Sequence, residues 1–79
     1  MKLTYDPQYN VAYLHLRDKP EQVDTIRISD ELNIDLAPDG TVYGIEFLNA
    51  NEQLAKHNSG LLEFVNEASG KSSTIKITG

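Results

Sequence analysis

Five side chains of this 79-residue chain have types and spacing that could do chemistry: Tyr5, Asp6, Tyr13, His15 and Glu46. Asp6 and Glu46 would form a carboxylate pair for acid/base work if two strands brought them together. A domain this small rarely encloses a pocket by itself, so a cleft lined by the five would have to form at a dimer interface. Each residue also has a plainer reading. Asp6-Pro7 opens a turn, because the aspartate bonds backbone two residues on and proline presets the next φ. Asn10 closes that turn, since asparagine tolerates the left-handed region. Tyr5 and Tyr13 flank the turn, as cross-strand neighbours or, if exposed with Tyr9, as a protein-contact patch. His15 alternates with Tyr13 on the face opposite Leu14 and Leu16, and His57 suits a helix end.

Other constellations fail on inspection. Counting from Asp35, an EF-hand loop would place Asp39, Gly40 and Glu46 well, but Ala37 stands at the third position and the flanks read as strands. There is no cysteine, hence no thiol nucleophile, disulfide or thiolate metal site. No Gly-x-Ser-x-Gly elbow or phosphate-cradling glycine loop occurs, and Ser69, Ser72 and Ser73 cluster in a polar tail. The residues therefore call for no metal and no cofactor.

A net charge of −5 repels phosphate backbones, which argues against direct nucleic-acid binding and base stacking. The acids are spread along the chain, as on a solvated surface that would suit a basic protein partner. A chain of this length buries only about 60–65% of its unfolded surface, so its core is thin and a homo-oligomer is the expected source of further stability. MKLTYDP holds no apolar stretch of a secretory leader, and no apolar run approaches the roughly 20 residues that cross a bilayer. A soluble, cytoplasmic protein with no membrane contact is expected.

The elements that must position these residues follow from period-two alternation. It predicts strands over Lys2–Tyr5, Val11–Leu16, Thr25–Ser29, Leu32–Leu36 and Val42–Phe47, with Ala37-Pro-Asp-Gly-Thr41 as a hairpin turn. Asn49–Asn58 reads as a short helix, with Asn49 and Glu52 as a capping pair and Leu54 and Ala55 toward the sheet. Leu61–Ala68 reads as one or two further helical turns, although LLEFV would also serve as a strand. SGKSSTIKITG is either disordered or an edge strand, with lysine discouraging further pairing.

Two stretches together, YDPQYNVAYLHL and NIDLAPDGTVYGIEFLNAN, resemble the small bacterial and archaeal domain of unknown function 2283 over roughly residues 1–57. Tyr5, Asp6, Tyr13, Leu14 and Leu16 match its first block, and Asp35, Asp39, Gly40, Gly44, Ile45, Glu46 and Leu48 its second. Asn10 stands where the family usually carries an acid, which keeps the turn but removes half of any carboxylate pair with Asp6. The family has no established activity. Some members are encoded beside small toxin-like proteins, which implies an antitoxin-like role for those members.

The expectation is therefore an α+β fold: about five antiparallel strands covered on one face by a short C-terminal helix, with an extra edge strand in the tail. Residues 1–57 form the family-like domain, and 58–79 an extension packed on it or on a second copy. Its expected role is a non-enzymatic interaction module, homo-oligomeric and antitoxin-like, with a basic toxin-like protein as partner. The alternative is a small ligand-binding protein or enzyme using the dimer-interface cleft of Tyr5, Asp6, Tyr13, His15 and Glu46.

Overall fold

Alternating side chains give five antiparallel strands in the computed structural model, which describes residues 1–18, 22–56 and 58–77. They are β1 (Lys2–Asp6), β2 (Val11–His15), β3 (Asp24–Ser29), β4 (Leu32–Leu36) and β5 (Val42–Leu48), ordered β1-β2-β5-β4-β3 across the sheet. The turns form by the chemistry their residues offer. Asp6 Oδ1 accepts the backbone N–H of Gln8 at 2.9 Å, and Asn10 takes φ 58° to bring the chain back into β2. Between β4 and β5 the Gly40 N–H donates to the Ala37 carbonyl, Gly40 has φ 89°, and Asp39 Oδ1 accepts the Thr41 N–H. Two bulges interrupt the ladder, one between Arg27 and Ser29 on β3 and one where β4 passes from Asp35 to Leu36.

Residues directly opposite one another share a face, so the register sorts the sheet into two surfaces. On one, Leu3, Leu14, Ile45, Ile34 and Ile26 form a continuous aliphatic row across all five strands. A second row beside it runs Tyr5, Ala12, Phe47, Leu32 and Ser29. The opposite surface is polar: Thr4, Tyr13, Glu46, Asn33 and Arg27 in one row, Lys2, His15, Gly44, Asp35 and Thr25 in the next.

The expected α+β architecture does not form, and no C-terminal helix packs on the sheet. Among the described residues the only helical pieces are a π-helical turn at Asn51–Ala55 and a short 3₁₀ turn at Asn58–Gly60. Asn49 has φ 52°, so it cannot cap a helix in the extended geometry a cap needs, and Ala50 starts the turn with no side-chain cap. The turn closes through the Lys56 N–H on the Asn51 carbonyl, and Ser59 and Gly60 of the 3₁₀ turn have φ 56° and 73°. His57 lies outside the described residues.

Leu61–Ala68 is not helical either. Leu61–Val65 is a strand, β6, paired antiparallel with β7 (Ser72–Lys76) as a separate hairpin. Asn66 Oδ1 accepts the N–H groups of Ala68 and Ser69, and Gly70 has φ 74°, so the connecting loop is a turn rather than the continuation of a helix. The tail strand therefore pairs with β6 and does not extend the five-stranded sheet.

Without a covering helix the molecule is a slab of 36 × 34 × 19 Å. Only Ala12 and Ala50 are buried apolar residues, and no large side chain is fully enclosed, among the described residues. No helix there is long and apolar enough to cross a membrane.

Candidate functional site

The polar face holds the one buried carboxylate among the described residues, Asp35 on β4. The Tyr13 hydroxyl donates to its Oδ2 at 2.5 Å, and the Thr25 hydroxyl to its Oδ1 at 2.6 Å. Hydrogen bonds to a charged acceptor are stronger than neutral ones, and a buried carboxylate requires them. Tyr13 on β2 reaches β4 by lying across β5. The residue it crosses is Gly44, where a Cβ would overlap the Tyr13 hydroxyl and the adjoining ring carbons. Glycine in the middle of this strand is thus a steric requirement of the tyrosine–aspartate bond. The His15 ring lies 4.4 Å, centroid to centroid, from that of Tyr13, tilted by 56°. Glu46 accepts from the Asn33 side-chain amide at 2.8 Å.

A second knot ties the first turn to the end of β5. The Asn10 amide donates to the side-chain carbonyls of Asn49 at 3.2 Å and Asn51 at 2.7 Å, while its own Oδ1 accepts the Asn51 N–H. The Asn10 carbonyl also accepts the N–H of Ala50. An aspartate at position 10 could fill the turn but could not donate these two bonds.

The five candidate residues divide between the two surfaces. Tyr13, His15 and Glu46 share the polar face. Tyr5 pairs with Ala12 on the apolar face, so Tyr5 and Tyr13 do not meet as cross-strand neighbours. Asp6 pairs with Val11 and is engaged in its own turn, with no bond to Glu46. An open hollow of about 310 Å³ beside Met1, Lys2, Leu16, Arg17 and Asp18 takes in only His15 of the five. A second of about 310 Å³, lined by Leu3, Leu62, Ile75, Lys76 and Ile77, takes in only Tyr5. The three acids of the EF-hand count serve separate structures: Asp35 binds Tyr13 and Thr25, Asp39 its turn, and Glu46 binds Asn33. Among the described residues no three His, Asp or Glu side chains are grouped to hold a metal ion.

One titration stands out. The Asp39 carboxyl is held below its usual range, chiefly by the Thr41 backbone N–H and then by the Thr41 hydroxyl. It is fully exposed, so this is a property of the turn.

The Tyr13–Asp35–Gly44 arrangement was not visible as a unit in the sequence. The available signal was Gly44, a glycine inside an otherwise apolar-aromatic strand, which marks a close approach. What the arrangement does chemically is lock β2, β4 and β3 together from the polar side.

No curated protein and no solved structure matches the chain. A family model described as a protein of unknown function (DUF2283) matches residues 2–51, which takes in all five strands of the sheet and leaves the β6–β7 hairpin outside. The match spans well over half of the chain, and both sequence blocks fall within it: the chain belongs to the DUF2283 family.

Proposed function

We propose that this chain is a non-enzymatic protein-interaction module that works through the apolar face of its five-stranded sheet. One observation carries this reading: the two rows of that face contain no charged residue, and of their apolar side chains only Ala12 is buried. A contiguous apolar surface of this extent is a docking surface on a functional protein. The polar face supports the same reading, because the hydroxyls and carboxylates that could do chemistry there are engaged with one another across the strands. The acid surplus of the chain lies off the apolar rows, and it would steer a basic partner, such as a small toxin-like protein, to the assembled module.

The chain has no cysteine, so single substitutions report on each face separately. Ile26→Cys samples the apolar face and Arg27→Cys the polar one. In cells making the protein at its native level, the thiol at position 26 is expected to react with a permeant maleimide several-fold more slowly than that at 27. Equal rates would show the apolar face unoccupied and overturn the proposal.

A further inference from the structure

We infer that the occupant of the apolar face is a second copy of this chain, stacked sheet on sheet as a two-layer sandwich. This rests on the apolar face being the interaction surface and goes further by naming what lies on it.

The surface area supports it first. A folded monomer of 8.8 kDa is expected to expose about 4,800 Å². This chain exposes 5858 Å², an excess of about 1,100 Å² over that norm. A standard stable interface takes roughly 800 Å² from each partner, and obligate dimers take more. An excess of this size matches what one subunit of a stable dimer buries, and the β6–β7 hairpin, exposed along both strands, carries part of it. The radius of gyration agrees, at 14.0 Å against about 11.6 Å for a compact chain of this length.

Layering comes second. The strands form one open five-stranded sheet and a separate two-stranded hairpin, with no second five-stranded layer. Stacked sheets sit about 10 Å apart, with the inner side chains of both interleaved. The five-strand aliphatic row Leu3, Leu14, Ile45, Ile34 and Ile26 is the inner surface such a sandwich needs, and this chain supplies only one layer.

Charge comes third. Two copies at −5 each would repel if their acids met. The two rows that would meet carry no acid, and Asp24, opposite Leu36, stands beside them at the end of β3. An isologous two-fold contact sets the same uncharged patch against itself. Permanence also favours self-association. With a core of Ala12 and Ala50 among the described residues, the fold needs its cover whenever it is folded, and another copy is always present at the chain's own concentration.

The β6–β7 hairpin extends the patch. Leu62 and Ile75 are paired on one of its faces, with Phe64 on the same side, and they are 47%, 61% and 68% exposed. Leu62 and Ile75 line a hollow together with Leu3 and Tyr5, so this hairpin face adjoins the sheet's apolar rows. In the sandwich it lies against the opposing copy.

Sedimentation equilibrium of the purified full chain is the test, expected to give about 17.6 kDa, twice the mass of one chain. Ile26→Lys, which places a charge in the aliphatic row, should halve that mass with the strand signal retained. Arg27→Glu on the other face should leave it unchanged. Isotope-filtered NOE spectra of mixed labelled and unlabelled wild-type protein give a readout independent of whether Ile26→Lys folds. Intermolecular contacts to the methyls of Ile34 and Ile45 support the sandwich, and contacts confined to other residues overturn it. A wild-type monomer at micromolar concentration overturns it too. Combined with protection of Ile26→Cys in cells, that result would leave the interaction reading standing with a different protein as occupant. Without such protection both fail.

Discussion

Gly44→Ala tests the steric logic of the polar face with a single methyl. Gly44 does not have a positive φ, so its backbone accepts alanine, and in a strand that exchange alone should stabilise by roughly 0.5–1 kcal/mol. The added Cβ falls where the Tyr13 ring and hydroxyl now lie, so the tyrosine must swing away. Its bond to the buried Asp35 is then lost, at a cost of about 1.5–3 kcal/mol for a charged acceptor. Forcing the ring off its rotamer adds about 0.5–1.5 kcal/mol. The net loss is about 1–4 kcal/mol, with a centre near 2.5. For a domain whose whole stability is roughly 4–12 kcal/mol, that is a large share. It corresponds to a fall in melting temperature of about 10–20 °C. The decisive comparison is the same substitution in a Tyr13→Ala background. All three of the nearest atoms to the new Cβ belong to Tyr13, so with the ring gone Gly44→Ala should turn neutral or stabilising. Urea unfolding followed by far-ultraviolet circular dichroism, at one fixed protein concentration, gives both free-energy differences. Equal costs in the two backgrounds would refute the argument, because the glycine would then be required by something other than the tyrosine.

Three further outcomes are expected. Thr25→Val keeps the strand but removes a hydroxyl donor from buried Asp35, and should cost about 1.5–3 kcal/mol in urea unfolding with an unchanged m-value. Asn10→Asp preserves the left-handed turn residue but loses both amide donations to Asn49 and Asn51. It should cost about 1 kcal/mol, and full stability in that variant would show the knot to be dispensable. Asp39 has a folded-state pKa below its unfolded value, so its contribution to stability is complete above the unfolded pKa and is lost as pH falls through the folded one. A carbon-13 titration of its carboxyl should therefore have a midpoint below the usual aspartate value, and Thr41→Pro, which removes the N–H, should raise it.

The five strands were legible because each alternates apolar and polar residues against a sheet with two unlike faces. Pro38-Asp39-Gly40 and Asn10 were legible because turn geometry admits few residue types. The helix at Asn49–Asn58 was misread for a local reason. Asn49 with Glu52 resembles a capping pair, yet Asn49 is needed in the left-handed region, and its side-chain carbonyl serves Asn10, 39 positions away in the chain though adjacent in space. LLEFV was ambiguous as a short apolar run. The signal that decides it lies downstream, where Asn66 and Gly70 make a turn and Thr74-Ile75-Lys76 alternates as a partner strand. Of the candidate site, Tyr13 and His15 were placed on one face by alternation, whereas Glu46 joins them only through the pairing of β2 with β5. The partner of Tyr13 was not, because Asp35 is 22 positions away and the bond depends on the strand order β2-β5-β4. Nothing in local periodicity reports that order.

The bulge near the end of β3 has a consequence for how assembly stops. An open sheet has two rims of unpaired backbone, and a flat rim invites another chain to add on, then another, into a fibre. Here one rim is β3, where the ladder slips between Arg27 and Ser29 and the exposed Arg27–Asp30 ion pair sits beside the slip. The other is β1, with Lys2 and Asp6 exposed at its ends. A kinked, charged rim is a poor template for lateral growth. In the sandwich proposed above, one broad apolar face would close the assembly and the two rims would not propagate it.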